Sequence, residues 1–135
     1  MRLRFGHLVS IAALFCSLLG SLAEAQTTLR PDWQERFRAH DANRDGRIDR
    51  AEFQEWMVDV FFQRDQGRKG YLTLDDVRGS MTPEVFRAMS QRGDGKLWLP
   101  EFLNALFEDF RAIDTERVGS ITAEQIDAYV RRAAR

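Results

Sequence analysis

The sequence contains one cysteine, Cys16, and two histidines, His7 and His40. Beyond the N-terminal stretch no thiol remains, which excludes disulfide staples, thiolate metal sites and cysteine nucleophiles from the body of the chain. His40 is then the only imidazole there, too few for a histidine-based metal centre, and it reads as a helix-end residue beside acids rather than a base. Basic charge is not in excess: 20 Lys and Arg face 21 Asp and Glu, a net charge of −1, so nucleic acid is not an expected partner. No glycine-rich phosphate cradle follows a strand pattern. No catalytic residue, organic cofactor site or enzymatic activity is therefore expected.

Long apolar runs are equally scarce. The one present, Leu8 to Leu19, follows Arg2 and Arg4 and precedes Ala23-Glu24-Ala25, the pattern of a secretory signal peptide over residues 1–25 with a cut before Gln26. An uncleaved anchor is the alternative. A dozen residues span about 18 Å as a helix, against about 30 Å for a bilayer core, so no stable membrane anchor is expected. Phe15 is too bulky to precede a lipid-modified Cys16. The reading is an exported protein, periplasmic or secreted, whose residues 26–135 form one small domain. Without Arg2, Arg4 and Glu24 the remaining 18 basic and 20 acidic side chains carry a net charge of −2.

What that domain does contain is a repeat. Glycine recurs as Gly46, Gly70, Gly95 and Gly119. An apolar residue two places later recurs as Ile48, Leu72, Leu97 and Ile121, and phenylalanine nine places earlier as Phe37, Phe61, Phe86 and Phe110. The common register defines loops at 41–52, 65–76, 90–101 and 114–125, starting 24, 25 and 24 residues apart. Between them the apolar spacing is helical. Phe53, Trp56, Met57, Val60 and Phe61 make one stripe, and Phe102, Leu106, Phe110 and Ile113 another. Gly79-Ser80 interrupts the middle, and Thr82-Pro83-Glu84 restarts a helix with a threonine cap and a proline in the first turn. A last helix is expected from about Ala123 to Arg132.

The first loop, Asp41-Ala-Asn-Arg-Asp-Gly-Arg-Ile-Asp-Arg-Ala-Glu52, places oxygen donors at alternate residues of a tight turn. A hard cation that takes about six to eight oxygens at ~2.3–2.6 Å needs that spacing. Asp41, Asn43 and Asp45 supply side-chain oxygens, Arg47 its backbone carbonyl, Asp49 a direct or water-mediated contact, and Glu52 two carboxylate oxygens; the ion so specified is Ca2+. The other loops lose donors. The second has Gly67 and Lys69 at the third and fifth positions and the short Asp76 at the twelfth, so it is expected to be empty. The third has Ser90, Arg92 and Trp98 in donor positions, with Asp94 and Glu101 left. The fourth keeps Asp114 and Glu116 but has Val118 and neutral Gln125. Weak binding or none is expected in these two.

On these motifs, residues 32 to about 132 resemble the calmodulin-like EF-hand superfamily, and with the leader they are similar to small exported bacterial EF-hand proteins. The resemblance implies an all-α fold of four helix-loop-helix units with short β bridges between loops, and calcium as ligand. The implied role is a calcium-responsive module that binds an unidentified protein partner. The alternative is a calcium-stabilised structural or buffering protein, since sensors expose methionine-rich grooves and only Met57, Met81 and Met89 follow residue 25.

The short repeat also bears on loop pairing. Residues 53–64 have neither glycine nor proline to kink them, so one straight helix sets the first two loops about 18 Å apart. The third and fourth loops are separated in the same way. A zigzag then pairs the first loop with the third, through Ile48 and Leu97, and the second with the fourth, through Leu72 and Ile121.

Overall fold

The structure is a computed structural model that describes residues 32–78 and 81–133. The proposed leader 1–25 and the Gly79-Ser80 break lie outside the described residues. Among the described residues five helices run in chain order: α1 (Asp32–His40), α2 (Arg50–Arg64), α3 (Pro83–Met89), α4 (Leu99–Ile113) and α5 (Ala123–Ala133). Four short strands lie between them: β1 (Arg47–Asp49), β2 (Tyr71–Leu72), β3 (Leu97–Trp98) and β4 (Ser120–Thr122).

Each loop begins in the same way. The amide of its first residue donates to the carbonyl of the recurrent phenylalanine four residues earlier, Asp41 to Phe37, Asp65 to Phe61, Ser90 to Phe86 and Asp114 to Phe110, at 2.9–3.0 Å. This last helical bond fixes the loop entry while the phenylalanine ring is buried in the core. The first loop ends by capping the next helix. Asp49 Oδ1 accepts from Glu52 N at 2.9 Å while Glu52 Oε2 accepts from Asp49 N at 3.0 Å, a reciprocal capping box at the start of α2. Thr82 caps α3 by accepting from Val85 N at 3.3 Å, with Pro83 in the first turn.

α2 and α4 are the two long helices, 15 residues each. α2 runs unbroken between the first and second loops, and α4 between the third and fourth. Their aromatic faces form the centre of the core: Phe53 packs on Phe107 and Phe110 with ring centroids 5.4 and 5.0 Å apart, and Phe61 on Phe102 at 5.4 Å. The start of α2 therefore lies against the end of α4. The two helices are antiparallel.

That direction decides the loop pairing and corrects the zigzag expected above. β1 pairs with β4, Ile48 opposite Ile121, and β2 pairs with β3, Leu72 opposite Leu97, both antiparallel. The first and second loops do sit at opposite ends of one helix, as do the third and fourth. A first-with-third pairing, however, requires α2 and α4 to run parallel. The short α3 instead carries the chain out and back, so that the third loop returns to the same end as the second. All four bridging residues, Ile48, Leu72, Leu97 and Ile121, are fully buried.

A second correction concerns the helix-loop-helix count. Helices flank the first, third and fourth loops on both sides. The second loop is entered from α2 but leaves through a turn over residues 74–78, with no α-helix there among the described residues.

Candidate metal centre

The first loop folds around its acids. Asp41 Oδ2 accepts from Gly46 N at 2.9 Å, and Asp41 Oδ1 from Asp45 N at 3.2 Å. Asn43 Oδ1 accepts from Asp45 N at 3.0 Å, and Asp45 Oδ1 from Arg47 N at 2.9 Å. Glu52 reaches back across the loop, its Oε1 accepting from Ala42 N at 2.9 Å and Asn43 N at 3.3 Å. Gly46, at φ +79°, holds a left-handed conformation that costs glycine little. Arg44, two residues earlier, has φ +58° as well, a conformation unusual for a residue with a Cβ. Arg68, Gly93 and Arg117 take the same conformation at the same place in the other loops, a repeat that the arginines conceal in the sequence.

The loop brings Asp41, Asn43, Asp45, Asp49 and Glu52 into one turn, with the Arg47 carbonyl at the start of β1. Asp41 and Glu52 are buried, at 8% and 7% exposure. Among the described residues, no lysine, arginine or histidine forms an ion pair with Asp41, Asp45, Asp49 or Glu52. Buried carboxylates without a counter-charge oppose folding, because desolvation and mutual repulsion both act against them. Asp41 Oδ1 and Oδ2, Asp45 Oδ1 and Glu52 Oε2 each accept one loop amide and keep a second lone pair for a cation, whereas Glu52 Oε1 meets two amides. The donor set, all oxygen, suits calcium. Among the described residues, no three Asp, Glu, His or Cys side chains converge as a finished metal cluster. The donors here include an amide oxygen and a backbone carbonyl, and the carboxylates rest on loop amides.

The other three loops keep this scaffold with part of their charge already answered; Asp114 of the fourth, buried at 7% exposure, accepts from Val118 N at 3.1 Å and Gly119 N at 2.8 Å and has no ion pair among the described residues. In the second, Asp65 Oδ2 accepts from Gly70 N at 2.8 Å, as Asp41 does from Gly46, but Lys69 Nζ lies 3.4 Å from Asp65 Oδ1 and 3.1 Å from Asp76 Oδ2. In the third, Ser90 Oγ donates to the Lys96 carbonyl at 2.6 Å, joining two positions that in the first loop are both candidate metal donors. Arg92 Nε lies 3.9 Å from Glu101 Oε1, and Trp98 Nε1 donates to Asp94 Oδ2 at 3.1 Å. That indole bond, foremost, holds the Asp94 carboxyl below its ordinary range. In the fourth, Glu116 is paired at 3.2 Å with Arg47, which also donates from Nε to Ser120 Oγ at 2.7 Å. Gln125, in place of the twelfth-position glutamate, accepts from Thr122 N at 2.9 Å and so keeps the helix cap without the charge.

Sequence reasoning credited Arg47 only with its carbonyl. Its side chain spans the β1–β4 bridge and occupies an acid of the opposite loop, and only the pairing, invisible in the sequence, reveals that. His40 sits where a helix-end residue was expected, its ring stacked on Trp56 at 5.1 Å and Nε2 3.5 Å from Asp59. Asp109 on α4 gave no signal. It is fully buried, and its Oδ1 accepts from Tyr129 of α5 at 2.7 Å, while Oδ2 has no hydrogen-bond partner among the described residues. Desolvation pushes this carboxyl up to about 7; the Tyr129 hydroxyl opposes the rise and the neighbouring Glu108 adds to it.

Two antiparallel loop bridges, each at one end of a pair of long helices, and glycine-hinged acidic turns define a helix-loop-helix ion-binding protein. The chain belongs to the EF-hand family, matching the EF-hand domain pair over residues 30–107. Calcium binding is the function that this domain indicates. No curated protein matches the chain.

Proposed function

We propose that this is an exported calcium-binding protein that holds one ion in loop 41–52, through Asp41, Asn43, Asp45, the Arg47 carbonyl, Asp49 and Glu52. It acts as a calcium-responsive module for a protein partner and not as an enzyme. One observation carries the reading: the first loop contains four acids, two of them buried, with no ion pair to any of them among the described residues, whereas Lys69 meets Asp65 and Asp76 in the second loop, Arg92 meets Glu101 in the third, and Arg47 meets Glu116 in the fourth, which leaves only Asp114 there on loop amides. A bound cation at the first loop neutralises that charge and ties α1 to α2. Those three loops serve the fold by their bridges and caps, so the chain uses four EF-hand-like units to build one site. Magnesium competes poorly because it keeps its own waters, and a dissociation constant up to ~10⁻³ M suffices where calcium is abundant.

Isothermal titration of the chain tests the assignment. One calcium site is expected, lost in Glu52→Gln; two or more sites of similar strength, or full binding by the variant, defeat it. A second reading, a structural site without a partner switch, draws support from the burial of Met57, Met81 and Met89 at 0%, 8% and 3% exposure, which leaves no methionine-rich groove among the described residues. Hydrophobic-dye binding separates the two, since newly exposed apolar surface on adding calcium favours the responsive module and its absence the structural site.

A further inference from the structure

The second loop does more than lack donors. Lys69 stands at its fifth position, where the first loop has Asp45, and its ammonium turns inward. Nζ lies 2.5 Å from the Gln66 carbonyl, 3.1 Å from Asp76 Oδ2 and 3.4 Å from Asp65 Oδ1. Three N–H donors thus face three oxygens, the full donor capacity of an ammonium. Asp65 and Asp76 are the first and twelfth residues of the loop, the positions that Asp41 and Glu52 hold in loop 41–52. Asp65 is buried at 5% exposure, and both acids are also anchored by loop amides, Gly70 N to Asp65 Oδ2 at 2.8 Å and Thr73 N to Asp76 Oδ2 at 2.8 Å. The short Asp76 side chain, a poor bidentate ligand, suffices here because the charge reaches it on a tether.

We propose that the Lys69 ammonium stands in for a metal ion in loop 65–76, closing the β2–β3 end of the molecule without metal and confining the calcium response to the β1–β4 end. The last clause rests on the function proposed above; the closure by Lys69 does not. The partner loop fits the same logic, since the Ser90–Lys96 bond and the Arg92–Glu101 pair close it from within. Titration behaviour agrees in direction. The hydrogen bond to Asp76, first among its partners, raises the Lys69 ammonium above its ordinary value. Desolvation acts to raise both acids, yet loop amides and Lys69 together bring Asp65 and Asp76 below theirs.

The test uses the full chain in excess chelator, read by amide exchange at Leu72 and by the cross-strand contact of Leu72 with Leu97. In the wild type both persist without calcium; their loss on chelation overturns the proposal. Lys69→Met, which keeps the apolar stem and removes the charge, speeds Leu72 exchange by about tenfold or more, the scale of a charged hydrogen bond. Lys69→Arg stays near the wild type. A Met variant as protected as the wild type overturns the proposal, and so does an Arg variant as exposed as Met, which assigns the effect to shape rather than charge. If Lys69→Met does not fold, nitrogen-15 lysine labelling of the wild type decides, because Lys96 is the only other lysine. Resolved, slowly exchanging ammonium protons at Lys69 support the stand-in; rapid exchange at both lysines overturns it. The lysine variants and the ammonium protons are read in chelator throughout, with no ion at loop 41–52, so failure there is distinct from failure of the proposed function.

Discussion

The two ends of the molecule are built on one backbone plan and differ in where their positive charge comes from. At the β2–β3 end, Lys69 and Arg92 are placed against the acids of their own loops. At the β1–β4 end, Arg47 serves the fourth loop, and the first loop keeps Asp41, Asp45, Asp49 and Glu52 without a cationic partner among the described residues. The lesson is that a degenerate loop is not simply a broken one. In the second loop a tethered cation in place of a donor leaves the turn and the bridge intact, and on the proposal above it removes only the dependence on an ion.

The largest effect that sharpens this contrast is one of pH and belongs to the β1–β4 side, where Asp109 lies one residue before Phe110, the last core aromatic ahead of the fourth loop. Its folded value of about 7 stands above the ordinary 3.8, so the folded chain holds a proton that the unfolded chain releases. Stability from this group is complete below about pH 4, falls as pH rises toward 7, and is level above, with a total on the order of 4 kcal/mol. Urea unfolding of Asp109→Asn across this window is expected to lose that slope. An unchanged slope places it on other groups.

Next in size is the metal itself. At free calcium about a hundred times the dissociation constant, binding to the folded state alone adds about 2.7 kcal/mol. Chelation therefore lowers the melting temperature, and calcium exchange effects concentrate at Ile48 and Ile121 rather than Leu72 and Leu97. Equal responses at both bridges, or a melting curve unmoved by chelator, break the comparison.

Glu52→Gln tests the same end by chemistry. Glutamine keeps the helix cap, as Gln125 does in the fourth loop, so the fold survives while calcium affinity drops by an amount on the order of a hundredfold. Titration calorimetry and the melting curve in chelator, read together, separate lost binding from lost structure.

The smallest effect is expected at Arg47→Met. The backbone carbonyl donor remains, and the pair broken with Glu116 is partly exposed, its side chains at 31% and 61%, so stability changes by no more than about 1 kcal/mol. The informative readout is calcium stoichiometry. A second, weak site at the fourth loop identifies Arg47 as what occupies Glu116, and a stoichiometry still at one assigns the missing affinity to Val118 and Gln125.

By itself the sequence determined what is local. Loop register follows from glycine at one position and an apolar residue two places on, helix continuity from a stripe free of glycine and proline, and the donor set of residues 41–52 from alternation in a tight turn. Each depends on neighbours within about one turn of chain, so composition at fixed spacing carries it. The truncated exit of the second loop, a turn over residues 74–78, was hidden because Leu74 to Val77 reads as helix start and turn alike. Only the tertiary structure decided the rest: that α2 and α4 run antiparallel, that Ile48 therefore meets Ile121, that Arg47 reaches Glu116, and that Asp109 is buried under Tyr129. The physical reason is that two long helices with similar aromatic stripes can pack in either direction by local pattern. The choice rests on the fit of Phe53 against Phe107 and Phe110, and of Phe61 against Phe102, contacts some forty to sixty residues apart that no short window of sequence contains.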